Sequence, residues 1–148
     1  MFIEGCSSQG FVRQEVNKMF FNKETDYAIR IVAQLAENRL VTDAKKIALQ
    51  TGVTERFTLK ILHKLVVKGV VKSYKGACGG YILAREPGEI TLLDIIEDIN
   101  GKLEFNDCQD SGSCTHPRGL CRFYSVFDKA SHDLRETFGS VTFEIKDR

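Results

Sequence analysis

The sequence lacks the long hydrophobic runs that are needed to cross a membrane. Its longest mostly apolar stretch, Ile61 to Val67, is interrupted by His63 and Lys64, whereas a membrane-spanning helix needs about 20 apolar residues. The first residues carry an early acid, Glu4, and no basic patch ahead of an apolar stretch, so they do not have the pattern of a secretory signal. We therefore expect a cytoplasmic protein that does not interact with membranes.

Sequence signatures of catalysis are also absent. There is no C-x-x-C pair, no nucleotide-binding fingerprint and no convincing Ser/His/Asp or Cys/His set. The glycine-rich stretch at 76–80 lacks the Gly-Lys-Ser/Thr ending of a phosphate-binding loop. We therefore do not expect an enzyme. The 148 residues, 43% of them hydrophobic, instead fit one globular domain, alone or with a dimerisation arm.

The net charge of +1 hides an uneven distribution of charged residues. Residues 52–86 hold seven Lys and Arg against two acids, whereas residues 87–148 hold seven against twelve. One concentrated basic block in a nearly neutral chain indicates a surface that faces a polyanion. The alternative is an ordinary solvated helix face.

Hydrophobic periodicity predicts three helices in the first half of the chain. Apolar residues recur at helical spacing over residues 22–40, with Asn22 as a plausible N-cap. Thr42 and Thr54 are the candidate caps of two further helices, which a tight turn at 50–53 joins. Two helices joined in this way form the helix-turn-helix pattern.

The third helix has an apolar side and a basic side. In a helix-turn-helix the second helix lies in the major groove of DNA, and its N-terminal residues meet base edges. We therefore predict DNA contacts by Thr54, Arg56, Lys60 and Lys64, with Arg56 suited to bidentate binding of guanine. The apolar side comprises Phe57, Ile61, Leu62, Leu65 and Val66, and the basic side Arg56, Lys60, His63, Lys64 and, as an apolar exception, Val67.

A β-hairpin and two more helices are expected after the basic helix. β-rich runs flank the turn at 76–80 and predict a wing, whose candidate DNA contacts are Ser73, Tyr74 and Lys75. Lys75 would enter an adjacent minor groove. A short helix over 91–101 and a polar loop over 102–121 lead to a long helix from about residue 122. The apolar stripe of this helix predicts packing on a partner chain, and the alternative is packing on its own domain. The stripe consists of Phe123, Phe127, Ala130, Leu134 and Phe138.

The expected fold is therefore mainly α with a small β-wing. Its parts are a flexible extension (1–18), a winged helix-turn-helix domain (19–101), a cysteine-containing loop (102–121) and a dimerisation helix with a tail (122–148).

Three of the five cysteines, Cys108, Cys114 and Cys121, fall within fourteen residues with the spacing C-x5-C-x6-C. An odd number of cysteines without a secretory signal makes a disulfide framework unexpected. Thiolates are the usual ligands of iron–sulfur clusters, so a cluster is favoured. Two alternatives stay open, namely a Cys3His zinc site that includes His116 and metal-free thiols.

The segments 56–62 and 72–84, together with the cysteine triplet, resemble the Rrf2 (BadM-type) family of winged-helix repressors, whose iron–sulfur members include NsrR and IscR. The resemblance covers the chain from about Met19 to its end. It implies a homodimer, a palindromic DNA operator, a C-terminal dimerisation helix and, in many members, an iron–sulfur cluster held by three cysteines. Likeness to NsrR favours a 4Fe–4S cluster, whereas IscR-like members carry 2Fe–2S.

The resemblance also bears on the fourth cluster ligand. IscR-like members have a histidine three residues after the last cysteine, a position that Tyr124 occupies here. NsrR-like members use an aspartate at the start of the first helix of the partner chain, and residues 26–30 match that segment and offer Asp26. Alternatively, Asp26 stabilises the helix dipole or pairs with Arg30. His116 is a lesser candidate, and the second gap has six residues where the family more often has five.

The resulting hypothesis is a DNA-binding repressor whose operator affinity is gated by an iron–sulfur cluster that senses nitric oxide, redox state or iron–sulfur status. The alternative is a metal-free Rrf2-type regulator that is gated by oxidation of the three thiols.

Overall fold

The computed structural model describes residues 21–105 and 121–145. Within these stretches lie five α-helices and one two-stranded antiparallel sheet, which confirms the predicted mainly helical fold with a β-wing. The extension at 1–18 and most of the 102–121 loop, including Cys108 and Cys114, lie outside the described residues. The elements are α1 (Lys23–Asn38), α2 (Ala44–Thr51), α3 (Glu55–Val67), β1 (Val71–Tyr74), β2 (Gly80–Leu83), a short 3-10 turn (Pro87–Glu89), α4 (Leu92–Asn100) and α5 (Tyr124–Gly139).

The first helix, α1, forms as its periodicity predicts. The side chain of Asn22 accepts a hydrogen bond of 2.9 Å from the backbone N–H of Thr25, which confirms Asn22 as the N-cap. The apolar stripe faces the core, where α1 packs against α2, α3 and α4. Its buried apolar members are Ala28, Ile31, Val32, Leu35 and Ala36.

The prediction that Thr42 caps the second helix is wrong, because the cap of α2 is the next residue, Asp43. The Asp43 carboxylate accepts a hydrogen bond of 3.0 Å from the backbone N–H of Lys46. The backbone of Thr42 is instead paired with Tyr81 of β2 through hydrogen bonds of 3.0 and 2.8 Å. Thr42 therefore joins the start of α2 to the wing.

The third helix, α3, buries a slightly different side from the one predicted. Ile61, Leu62 and Leu65 are buried as expected, and Thr58 is buried with them. Phe57 was expected on the packed side, but it is 44% exposed and meets the ring of Tyr27 edge-on at 6.1 Å. It therefore lies at the border of the core, where an aromatic ring packs on one side only.

The wing is held against the segment that precedes α2 by a close approach of two backbones. In the hairpin, Val71 pairs with Leu83 and Tyr74 pairs with Gly80. Gly80 has a φ of +157°, and a Cβ placed there would lie 2.6 Å from the carbonyl oxygen of Thr42. Only glycine fits this close contact between the hairpin and Thr42.

The C-terminal helix, α5, packs in part on its own chain. Arg135 forms an ion pair with Glu97 of α4, and the ring of Phe138 meets that of Phe21 at 5.8 Å. No helix within the described residues is long and apolar enough to span a membrane. The first half of α5 and the residue before it keep large apolar side chains exposed, namely Phe123, Val126 and Phe127.

Candidate nucleic-acid interface and metal ligands

The basic side of α3 faces solvent along its length. Arg56, Lys60 and His63 are exposed and Lys64 is half-buried, and the four side chains border one open surface of α3. Thr54 is the N-cap residue by its backbone, but its side chain makes no capping hydrogen bond. Its hydroxyl and the guanidinium of Arg56 lie at the end of α3 that is predicted to meet base edges.

One acid contacts the basic side of α3. Glu24, in the first turn of α1, binds Lys60 through one carboxylate oxygen and Lys64 through the other, at 2.5 Å for Lys64. The hydrogen bond from Lys60 and then that from Lys64 hold the pKa of Glu24 below its usual value, against the opposing effect of burial. The sequence predicted neither contact, because 36 and 40 residues separate Glu24 from the two lysines.

The predicted wing contacts also lie on an exposed surface. In β1 only Val71 is buried, and the side chains from Lys72 onward, including Ser73, Tyr74 and Lys75, are exposed. Ser73 and Tyr74 border a shallow hollow between the end of α3 and the hairpin. The wing and α3 therefore present polar and cationic side chains from adjoining elements.

One cysteine of the triplet lies in the described part of the chain. Cys121 is half-buried and unpaired by a disulfide, and its carbonyl accepts a hydrogen bond of 3.1 Å from the N–H of Tyr124. This contact ties the backbone of Cys121 to the first residue of α5. Cys108 and Cys114 lie outside the described residues.

Asp26 carries the carboxylate that the resemblance implies as fourth ligand. Its side chain is 54% exposed and forms an ion pair of 2.9 Å with Arg30, four residues along α1. This is the pairing that the alternative interpretation anticipates. Among residues 21–105 and 121–145, no three His, Cys, Asp or Glu residues of the single chain group together as a metal site.

Comparison with known sequences identifies the class of protein to which this arrangement belongs. A model of the Rrf2 family, described as an iron-dependent transcriptional regulator, matches residues 21–145. An HTH-type transcriptional regulator of Aquifex aeolicus is 37% identical over 91 residues, which are 61% of this chain and 63% of that relative. The HTH-type transcriptional regulator NsrR of Shouchella clausii is 28% identical over 111 residues, 72% of this chain and 73% of that relative.

Solved structures show the same architecture. IscR of T. potens aligns with a TM-score of 0.67 and 29% identity over 83% of this chain and 82% of that one. CymR, described as the global cysteine regulator of B. subtilis, aligns with a TM-score of 0.66 and 26% identity over 83% of this chain and 92% of that one. The chain belongs to the Rrf2 family of winged-helix transcriptional regulators, which bind DNA and are not enzymes.

Proposed function

We propose that this regulator is a homodimeric repressor whose affinity for a palindromic DNA operator is set by an iron–sulfur cluster. The cluster is 4Fe–4S, with 2Fe–2S as the alternative, and responds to nitric oxide, redox state or iron–sulfur status. The observation that carries the DNA-binding part is the exposed basic side of α3 beside an exposed wing. A major groove accommodates such a helix, and its N-terminal Thr54 and Arg56 would meet bases.

The exposed half of α5 supports the homodimer. Phe123, Val126 and Phe127 leave apolar surface uncovered in the single chain, and Phe127 contacts the exposed Phe105 at a centroid distance of 6.5 Å. Contiguous apolar surface of this kind marks protein interfaces. A second copy would cover it and provide the second recognition helix, about one turn of DNA or roughly 34 Å away.

The donor set fits an iron–sulfur cluster. Cys108, Cys114 and Cys121 would supply three thiolates, and Asp26 of the second copy would supply a carboxylate, a weaker ligand that is more easily displaced. When bound, the cluster would offer an iron site at which nitric oxide or oxygen can react. Residues 102–121 contain few apolar side chains, so burial of apolar surface would contribute little to ordering this loop. Ligation of the cluster by its thiolates would supply that free energy instead.

Packed elements connect Cys121 with the DNA-binding surface. Cys121 precedes α5, which is joined to α4 through Arg135 and Glu97. Helix α4 packs against α1 and α3, and Lys68 after α3 lies 3.7 Å from Asp98 of α4. A shift of α5 on loss of the cluster would therefore change the spacing of the two recognition helices. The switch would be a change between order and disorder in the 102–121 loop, and the cluster site and the DNA-binding site would be coupled through it.

Metal analysis of protein purified without oxygen tests the cofactor. We expect brown protein with iron and acid-labile sulfide in near-equal amounts, because clusters of both types contain them in equal numbers. Colourless protein after anaerobic reconstitution would contradict the proposal, and zinc in place of iron would favour a structural zinc site.

The second candidate is a metal-free regulator that is gated by thiol oxidation. The likeness to CymR, which is described as a cysteine regulator, favours it. Disulfide formation among Cys108, Cys114 and Cys121 would then replace loss of the cluster as the switch. Mass spectrometry of oxidised protein, combined with the metal analysis, separates the two candidates.

Replacing Asp26 by alanine tests the fourth ligand. We expect an altered visible spectrum or an altered response to nitric oxide, because one iron would lose its carboxylate. Arg30→Ala is the matched control, since it breaks the same ion pair and leaves the carboxylate in place. If Asp26→Ala keeps the spectrum and response of the wild-type protein, Asp26 acts only at the helix N-terminus.

Replacing Lys75 by alanine tests the wing. We expect weaker operator binding, with a salt dependence whose slope falls by about 0.9 if the lost contact is to one phosphate. Lys75→Arg, which keeps the positive charge at the wing tip, is the matched control and should bind as the wild-type protein does. Equal operator affinity of Lys75→Ala and this control would remove the wing tip from the contact surface.

A further inference from the structure

The contact of Glu24 with α3 is unusual for a surface that binds a polyanion. The two lysines that it binds lie one helical turn apart on the basic side of α3, among the residues predicted to contact DNA. The Glu24 side chain is only 25% exposed, whereas Lys60 is 53% and Lys64 37% exposed. The carboxylate of Glu24 is therefore less exposed to solvent than the two lysine side chains that it binds.

This geometry makes Glu24 a competitor of DNA phosphates. Lysine binds phosphate as a point charge on a flexible stem, and such contacts supply most of the affinity for non-specific DNA. While both carboxylate oxygens of Glu24 are occupied, the two ammonium groups are held towards α1 and most of one positive charge is neutralised. Arg56, one turn earlier on α3, forms none of these contacts and stays exposed for base readout.

We infer that Glu24 is a specificity-determining residue, which restrains Lys60 and Lys64 from binding phosphates indiscriminately and so keeps affinity for random DNA low. The inference rests on the proposed docking of α3 in the major groove. In a random complex the protein can shift its register until freed lysines reach phosphates. In the operator complex Arg56 and the wing fix the register, so freed lysines gain less.

Glu24→Gln tests the inference, because it keeps the shape of the side chain and removes its charge. At about 0.1 M salt we expect random-sequence duplex DNA to bind roughly 5- to 10-fold more tightly, the gain that corresponds to about one added phosphate contact. The slope of log K against log salt should steepen by about 0.9 for each lysine that moves to a phosphate, and by up to about 1.8 in all. Operator affinity should rise less, so that the ratio of operator to random-DNA affinity falls.

Two controls isolate the contact. Glu37→Gln removes the same charge from an exposed position at the other end of α1, and should leave the salt slope unchanged. In a Lys60→Gln/Lys64→Gln background the further change Glu24→Gln should have no effect on DNA binding. Both lysines are absent there, so Glu24 has no ammonium group to restrain. Glu24→Asp, which keeps the charge but is too short to bind both lysines well, should give an intermediate slope and serves if the glutamine variant does not fold.

The outcomes separate this inference from the proposed function. Unchanged or weaker binding of random DNA by a folded Glu24→Gln protein would overturn the inference and make the contact a structural tie between α1 and α3. If Arg56→Ala, measured in parallel, also binds operator and random DNA as the wild-type protein does, the docking of α3 itself is wrong. A circular dichroism spectrum of each variant, recorded first, checks that the protein is folded.

Discussion

The proposed function predicts that serine in place of Cys121 leaves the protein without an iron–sulfur cluster and changes its operator affinity about 5- to 150-fold. The range corresponds to a coupling free energy of about 1–3 kcal/mol between two sites. A serine hydroxyl remains protonated at neutral pH and is a poor iron ligand, whereas the remaining structure changes by a single atom. Because Cys121 lies three residues before the first residue of α5, we expect loss of the proposed ligand bond to change the arrangement of the dimer.

The chain contains its own control for this substitution. Cys78 lies in the turn of the wing, is exposed, and is separate from the triplet. Cys78→Ser should retain the colour and the iron content of the wild-type protein. Should Cys121→Ser also retain both and bind the operator as before, Cys121 is not a ligand, and gating through the triplet loses its support.

Alanine in place of Arg56 is expected to reduce the discrimination between operator and random DNA by about 5- to 150-fold. A bidentate contact of arginine with guanine is worth about 1–3 kcal/mol of base discrimination, or about 5- to 150-fold in the affinity ratio. Arg56 is exposed at the start of α3, where a helix in the major groove meets bases. The measurement is a titration of the operator and of a scrambled duplex at one fixed salt concentration.

Two variants define what Arg56 contributes. Arg56→Lys keeps the positive charge but lacks the planar fork, so it should bind random DNA normally and discriminate poorly. Arg85→Ala removes an exposed arginine that lies outside α3 and should leave discrimination intact. An equal loss of affinity for both duplexes in Arg56→Ala would mean that Arg56 touches only phosphate.

Local patterns were enough to predict most of the helical framework. The apolar period of α1 identified its buried residues because a helix that packs on one side records that side in its sequence. The same reasoning misplaced Phe57. A residue at the border of the core can be as apolar as a buried residue and yet remain partly exposed to solvent. Periodicity reports the centre of a packed face better than its edges.

Contacts between distant segments could not be predicted. Thr42 and Asp43 are both suitable caps, and the choice between them depends on the backbone of Tyr81, which pairs with Thr42 and comes much later in the chain. The ion pair between Glu24 and Lys60 depends in the same way on how α1 packs against α3. Composition showed that α3 is basic, but only the packing of the helices shows that an acid restrains part of that charge.

We propose that a cofactor bound by the cysteine triplet sets the affinity of the regulator for its operator. The most direct test is one anaerobic preparation, divided into loaded, nitric-oxide-treated and iron-stripped samples and titrated against the same operator duplex at the same salt concentration. The account predicts that the loaded sample differs from the other two by about 5- to 150-fold in operator Kd. Equal Kd values in all three samples would contradict it.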